Sequence, residues 1–94
     1  MKKSINKEAL TIQRRFFAAF DLLVESGRCK GLKGFCENHS LNRTKYSRIK
    51  NDLNKTCEEM TYKVIDIDAL SSLCRDFDVS PEWLLLGTGD MFIK

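Results

Sequence analysis

The chain has 94 residues, 43% of them hydrophobic and 31% charged. That balance fits one folded unit with one core and excludes a disordered, collagenous or low-complexity chain. The net charge of +3 is uneven: residues 27–55 carry eight basic and two acidic side chains, whereas residues 56–94 carry three basic and eight acidic ones. A middle third this basic beside an acidic end is an electrostatic footprint for a polyanion.

The first eight residues are charged and lack the apolar run of a targeting signal. The stretch 16–24 is interrupted by Asp21 and preceded by Arg14 and Arg15. A membrane span needs about 20 apolar residues in a row, and none is present. A cytoplasmic location and no membrane partner are expected. The cysteines Cys29, Cys36, Cys57 and Cys74 are then expected to be free thiols, with Cys36 and Cys74 acting as small core hydrophobes.

The spacing of Ile12, Phe16, Phe20 and Leu23 predicts a first helix over residues 11–25, ended by Ser26-Gly27. A short second helix follows over 32–39, with Leu32, Phe35 and Cys36 on one side. Ser40-Leu41 breaks the pattern. Asn42 is a good N-cap for a third helix from 43 to about 51, with Tyr46 and Ile49 facing inward. Residues 52–63 read as a loop. The run 61–65 can extend locally, but one strand makes no sheet. Asp66 can cap a fourth helix carrying Ile67, Leu70, Leu73, Cys74 and Phe77 at helical spacing. Ser80-Pro81-Glu82 opens a fifth, which Gly87-Thr88-Gly89 ends. The predicted fold is all-α, a single helical domain over 1–94.

The outer surface of the third helix points to chemistry. A groove-reading helix needs basic or short polar side chains near its N-terminus, because that end meets base edges. Here that end is Asn42-Arg43-Thr44-Lys45, followed by Ser47-Arg48, and residues 41–51 contain no acid. Arginine can take guanine O6 and N7 together, and threonine can meet a thymine methyl. An ordinary solvated helix more often mixes glutamate with lysine.

The stretch Gly31-Leu32-Lys33-Gly34-Phe35-Cys36-Glu37-Asn38-His39-Ser40-Leu41-Asn42-Arg43-Thr44-Lys45-Tyr46-Ser47-Arg48-Ile49-Lys50 resembles the Cro/lambda-repressor-type (XRE) helix-turn-helix. The tail Leu73-Cys74-Arg75-Asp76-Phe77-Asp78-Val79-Ser80-Pro81-Glu82-Trp83-Leu84-Leu85-Leu86-Gly87-Thr88-Gly89 resembles that family's last two helices, which often close on a Trp-Leu-Leu-x-Gly run. The resemblance implies a five-helix lambda-repressor-like domain with its helix-turn-helix at about 31–51 and its C-terminal helices and tail at 66–94. It implies a sequence-specific DNA-binding regulator, repressor-like and bacterial or phage-derived. The expected base readers are Arg43, Thr44, Lys45, Ser47 and Arg48. Lys30, Lys33, Asn42, Lys50, Asn51 and Lys55 are expected at phosphates. Three features depart from the family pattern, one being the 52–63 loop, which is longer than the family's usual link and carries Lys55. Ser40 stands where glycine is frequent, so a left-handed backbone there is mildly strained. Leu32 stands where glutamine is frequent, so Lys33 or Lys30 takes over the phosphate contact.

Four apolar residues in a row, Trp83-Leu84-Leu85-Leu86, go right round a helix, and Met91-Phe92-Ile93 add more apolar surface. Trp83, Leu84, Leu85, Met91 and Phe92 are read as a homodimer interface, with a fold-back of the tail over the fifth helix as the alternative. Cys29, Cys36 and His39 lack the spacing of a zinc knuckle or ribbon. No nucleophile has an evident base partner and no glycine-rich phosphate loop is present. No enzyme activity, metal, cofactor or small-molecule ligand is expected. An adaptor or antitoxin-like protein-interaction module on the same fold is the other functional reading.

Overall fold

Seven inward side chains set the course of the first helix, α1 (Lys7–Glu25): Leu10, Gln13, Phe16, Phe17, Ala19, Phe20 and Leu23. The computed structural model describes residues 7–53 and 64–93. Four further helices follow, α2 (Leu32–Asn38), α3 (Arg43–Asn51), α4 (Ile67–Phe77) and α5 (Pro81–Leu86). The all-α expectation holds, and the helix bounds agree within a residue except at the start of α1. That helix begins four residues before the predicted position. Thr11, the first residue of the predicted helix, sits inside it and donates its hydroxyl to the Lys7 carbonyl one turn back (3.0 Å).

The core is aromatic around α1. Phe16 meets Phe17 edge-on with centroids 5.1 Å apart, and Phe20 meets Phe35 of α2 at 5.4 Å. Phe16 also approaches Tyr46 of α3. Burying each such ring is worth roughly 1.5–3 kcal/mol, so these rings hold α2 and α3 to α1. Ala69 and Leu73 of α4, Val79 and Leu84 complete the same cluster, and Trp83 packs half-buried against it.

Gln13 is one of the polar residues of this interior, with Ser72 and Asp52. Its Oε1 accepts from the Ile65 backbone N–H at 3.2 Å and ties the chain before α4 to α1. The run 61–65 forms no named strand among the described residues, and its first three residues lie outside them.

The turn between α2 and α3 is closed by the backbone. Ser40 is left-handed (φ 56°), the Leu41 N–H donates to the Cys36 carbonyl at 2.8 Å, and the Ser40 N–H reaches the Glu37 carbonyl. This paired arrangement is the Schellman motif, and Leu41 packs against the core beside Cys36. Ser40 adopts the left-handed state that glycine takes more cheaply, as its position in the sequence anticipates.

At the other end, Ser80 caps α5 by accepting from the Trp83 N–H, with Pro81 in the first turn and Gly87 left-handed at the end. Beyond it the chain turns back. Ser80 N–H donates to Met91 O and Ile93 N–H to Asp78 O, both at 2.8 Å, and Val79 and Phe92 form an isolated antiparallel bridge. The tail thus folds back within the chain onto the residues just before α5. Leu84, expected at a dimer interface, is fully buried, and Trp83, Met91 and Phe92 are partly buried against the core. Leu85, Leu86 and Ile93 are the exposed apolar residues of this end. Ile67, expected with the apolar spacing of α4, is 81% exposed, because the inward face of that helix is set by Ala69, Ser72 and Leu73. No helix among the described residues is long and apolar enough to cross a membrane.

Candidate nucleic-acid interface

Asn42 starts α3 by accepting the Lys45 N–H on its Oδ1 at 3.0 Å, the contact expected of a short polar N-cap. With Tyr46 and Ile49 fully buried, the rest of the helix has a fixed rotation. At about 100° per residue, Arg43, Thr44, Ser47, Arg48 and Asn51 fall within one outward arc of about 140°. Four of these five are exposed and Ser47 is half-buried. Among the described residues, neither Arg43 nor Arg48 pairs with a carboxylate.

The two lysines of α3 lie at the edges of that arc, and each is engaged. Lys45 Nζ is 3.0 Å from Asp66 Oδ1 and lies over the Tyr46 ring at 5.8 Å. Lys50 Nζ is 3.1 Å from Asp21 Oδ1 of α1 and lies over the Phe17 ring at 6.0 Å. Lys45 was expected among the base readers and Lys50 among the phosphate contacts. Each has an internal anion within the chain.

Asp66 is bound from several sides. Its Oδ2 accepts from the Tyr46 hydroxyl at 2.8 Å, and its backbone N–H donates back to that hydroxyl at 2.9 Å. The Lys45 hydrogen bond holds its carboxyl below the ordinary carboxylate range, against a smaller opposing effect of burial. Burial pushes the Tyr46 hydroxyl well above its usual value, so it stays a proton donor. The Asp66 side chain does not cap α4 as expected; its carboxylate is spent on α3.

Lys30 and Lys33 are exposed at the start of α2, adjoining Gly31 at its N-cap. Lys55 lies outside the described residues. Arg28 is paired with Asp78 at 3.4 Å on an exposed surface. His39 ends α2, with its ring 4.6 Å from Phe35 and its Nδ1 3.3 Å from the buried Ser72 hydroxyl. Cys29 and Cys36 are free and buried, and burial raises the Cys36 thiol above its usual value. Among the described residues, no group of three His, Cys, Asp or Glu side chains is placed to hold a metal ion.

Asp21 and Asp66 are the site residues that the sequence alone did not single out. Asp21 had a signal, since it stands one turn after Phe17 and breaks an apolar run. Asp66 had none toward Lys45, from which it is 21 residues away. Comparison with protein-family models, with curated proteins and with solved structures finds no match.

Proposed function

We propose that the chain binds double-stranded DNA with sequence preference, laying α3 in the major groove as the reading helix of a lambda-repressor-like, XRE-type helix-turn-helix. The observation that carries this is the acid-free outward arc of α3, where Arg43, Thr44, Ser47 and Arg48 stand exposed or half-exposed on a helix anchored by Tyr46 and Ile49. These residue types match base edges, and each good bidentate contact discriminates by about 1–3 kcal/mol. Lys30 and Lys33 neutralise phosphates at the start of α2. Such a chain acts as a transcriptional regulator, in the cytoplasm and without catalytic chemistry of its own.

Selection of bound duplexes from a random pool tests this reading. Recovery of a defined motif is expected, with affinity falling steeply as salt rises. Arg43→Ala should relax base preference, whereas Lys33→Ala should weaken all duplexes alike. Absence of binding to any duplex, or a flat salt response, overturns the reading.

A homodimer belongs to the same proposal, because one module of this size buries only about 600–1,000 Å² on DNA. Its surface is the exposed apolar set Leu85, Leu86 and Ile93 beside Ile67 and Leu70, in place of the buried Leu84. That apolar groove between α4 and α5 equally favours the second reading, a protein-interaction module. Sedimentation of the chain with and without a palindromic duplex separates them: a dimer on a palindrome supports the first, a monomer without DNA affinity the second.

A further inference from the structure

Both lysines of α3 are held in the same way. Each reaches a carboxylate from a different element within about 3 Å, and each lies over an aromatic face. They flank the arc of Arg43, Thr44, Ser47, Arg48 and Asn51 on its two sides. Phosphate strands running beside an inserted helix would meet these same two edges. The edges therefore present ion pairs rather than free cations.

We propose that Asp21 and Asp66 act as internal counterions that withhold Lys50 and Lys45 from the phosphate backbone and so lower the affinity for every duplex, and its salt dependence, without touching the base readers. This inference rests on the DNA-binding reading. Non-specific affinity grows with every phosphate neutralised, because each such contact releases condensed counterions. A lysine that is already paired releases none. A fixed carboxylate beside it also repels an approaching phosphate. The base readers in the arc are left free, so the penalty falls on all duplexes and the gain from correct bases is untouched.

The two restraints differ in firmness. The Lys45 side chain is 23% exposed, and its partner is fixed by two hydrogen bonds with Tyr46. The Lys50 side chain is 43% exposed and Asp21 is 54% exposed. Among the described residues, the Asp21 carboxylate holds only Lys50, so its removal is the cleaner change.

The experiment measures log K against log salt for the full chain on its selected duplex and on a scrambled one. Asp21→Asn is expected to steepen both slopes by about 0.9, the value for one added phosphate contact. It should tighten both duplexes by a similar factor and leave the ratio between their affinities unchanged. The gain should vanish in the Lys50→Ala/Asp21→Asn double variant. Asp66→Asn, whose amide oxygen can still accept from Tyr46, should steepen the slope through Lys45, with a circular dichroism melt as its folding check. If wild type binds and Asp21→Asn leaves the slope unchanged, the counterion role is overturned and the DNA reading stands. If wild type binds no duplex, the DNA reading falls and this inference falls with it.

Discussion

The guanidinium of Arg15 lies across the C-terminal end of α5, with Nε donating to Leu84 O at 2.8 Å and Nη2 to Leu85 O at 3.1 Å. The last carbonyls of a helix have no partner within it, and a cation there also suits the helix dipole. A residue of α1 thus ends a helix 69 positions later in the chain. It also explains Gly87, where an added Cβ would come within 2.9 Å of Arg15 Nη1 at a φ of +77°.

Arg15→Gln should therefore destabilise the chain by about 1–2 kcal/mol through loss of charge-assisted hydrogen bonds. Gly87→Ala should cost about as much, from the left-handed backbone and the displaced guanidinium. The two losses should add to less than their sum, because they share one contact. Urea unfolding of both single variants and the double variant measures this.

Ser40 offers the opposite change. Ser40→Gly relieves a left-handed non-glycine residue, offset by the greater freedom of glycine in the unfolded chain. A net stabilisation of about 0.5–1 kcal/mol is expected, which raises the melting temperature by about 2–8 °C for a chain this size. A lowered melting temperature would contradict the strain assigned to this turn.

Tyr46→Phe removes the hydroxyl that both donates to the Asp66 carboxylate and accepts its backbone N–H. The ring stays in the core, so the loss isolates the polar contacts. A destabilisation of about 1–2 kcal/mol is expected from two groups left without their partner. Equilibrium denaturation against wild type reads it directly.

Acid should weaken the same junction. Because Lys45 holds the folded carboxyl of Asp66 below its unfolded value, the folded state binds fewer protons. Its contribution is full above the ordinary carboxylate range, near pH 4, and is lost as pH falls through the lower folded value. The effect is modest, since the Asp66 side chain is 43% exposed. Melting temperature against pH should fall less steeply below pH 4 in Asp66→Asn than in wild type.

Helix ends were legible wherever local chemistry decides them. Asn42 and Ser80 cap α3 and α5 as their positions foretell, and Ser40 takes the left-handed state expected at the turn. The buried Tyr46 and Ile49 were legible from spacing, and they fix which side of α3 faces out. The start of α1 was not, because Leu10 and Gln13 continue the inward face past a threonine that looked like a boundary. Gln13 was overlooked because its value lies in a single acceptor for Ile65, a contact across 52 positions. Leu84 was misjudged because four apolar residues in a row do not say which one points inward. The partners of Lys45 and Lys50 were illegible for a simpler reason: long flexible side chains choose among carboxylates only once the helices are placed.

Trp83 is the one tryptophan of the chain, and it packs half-buried against the core from α5. The rings joining α1, α2 and α3 are phenylalanines and Tyr46, which contribute little to emission excited at the long-wavelength edge of indole absorption. Indole fluorescence therefore watches one corner of the molecule by itself. Loosening of α5 would shift that emission while the far side of the core stayed closed, and the order in which the two corners open becomes an optical measurement that needs no added label.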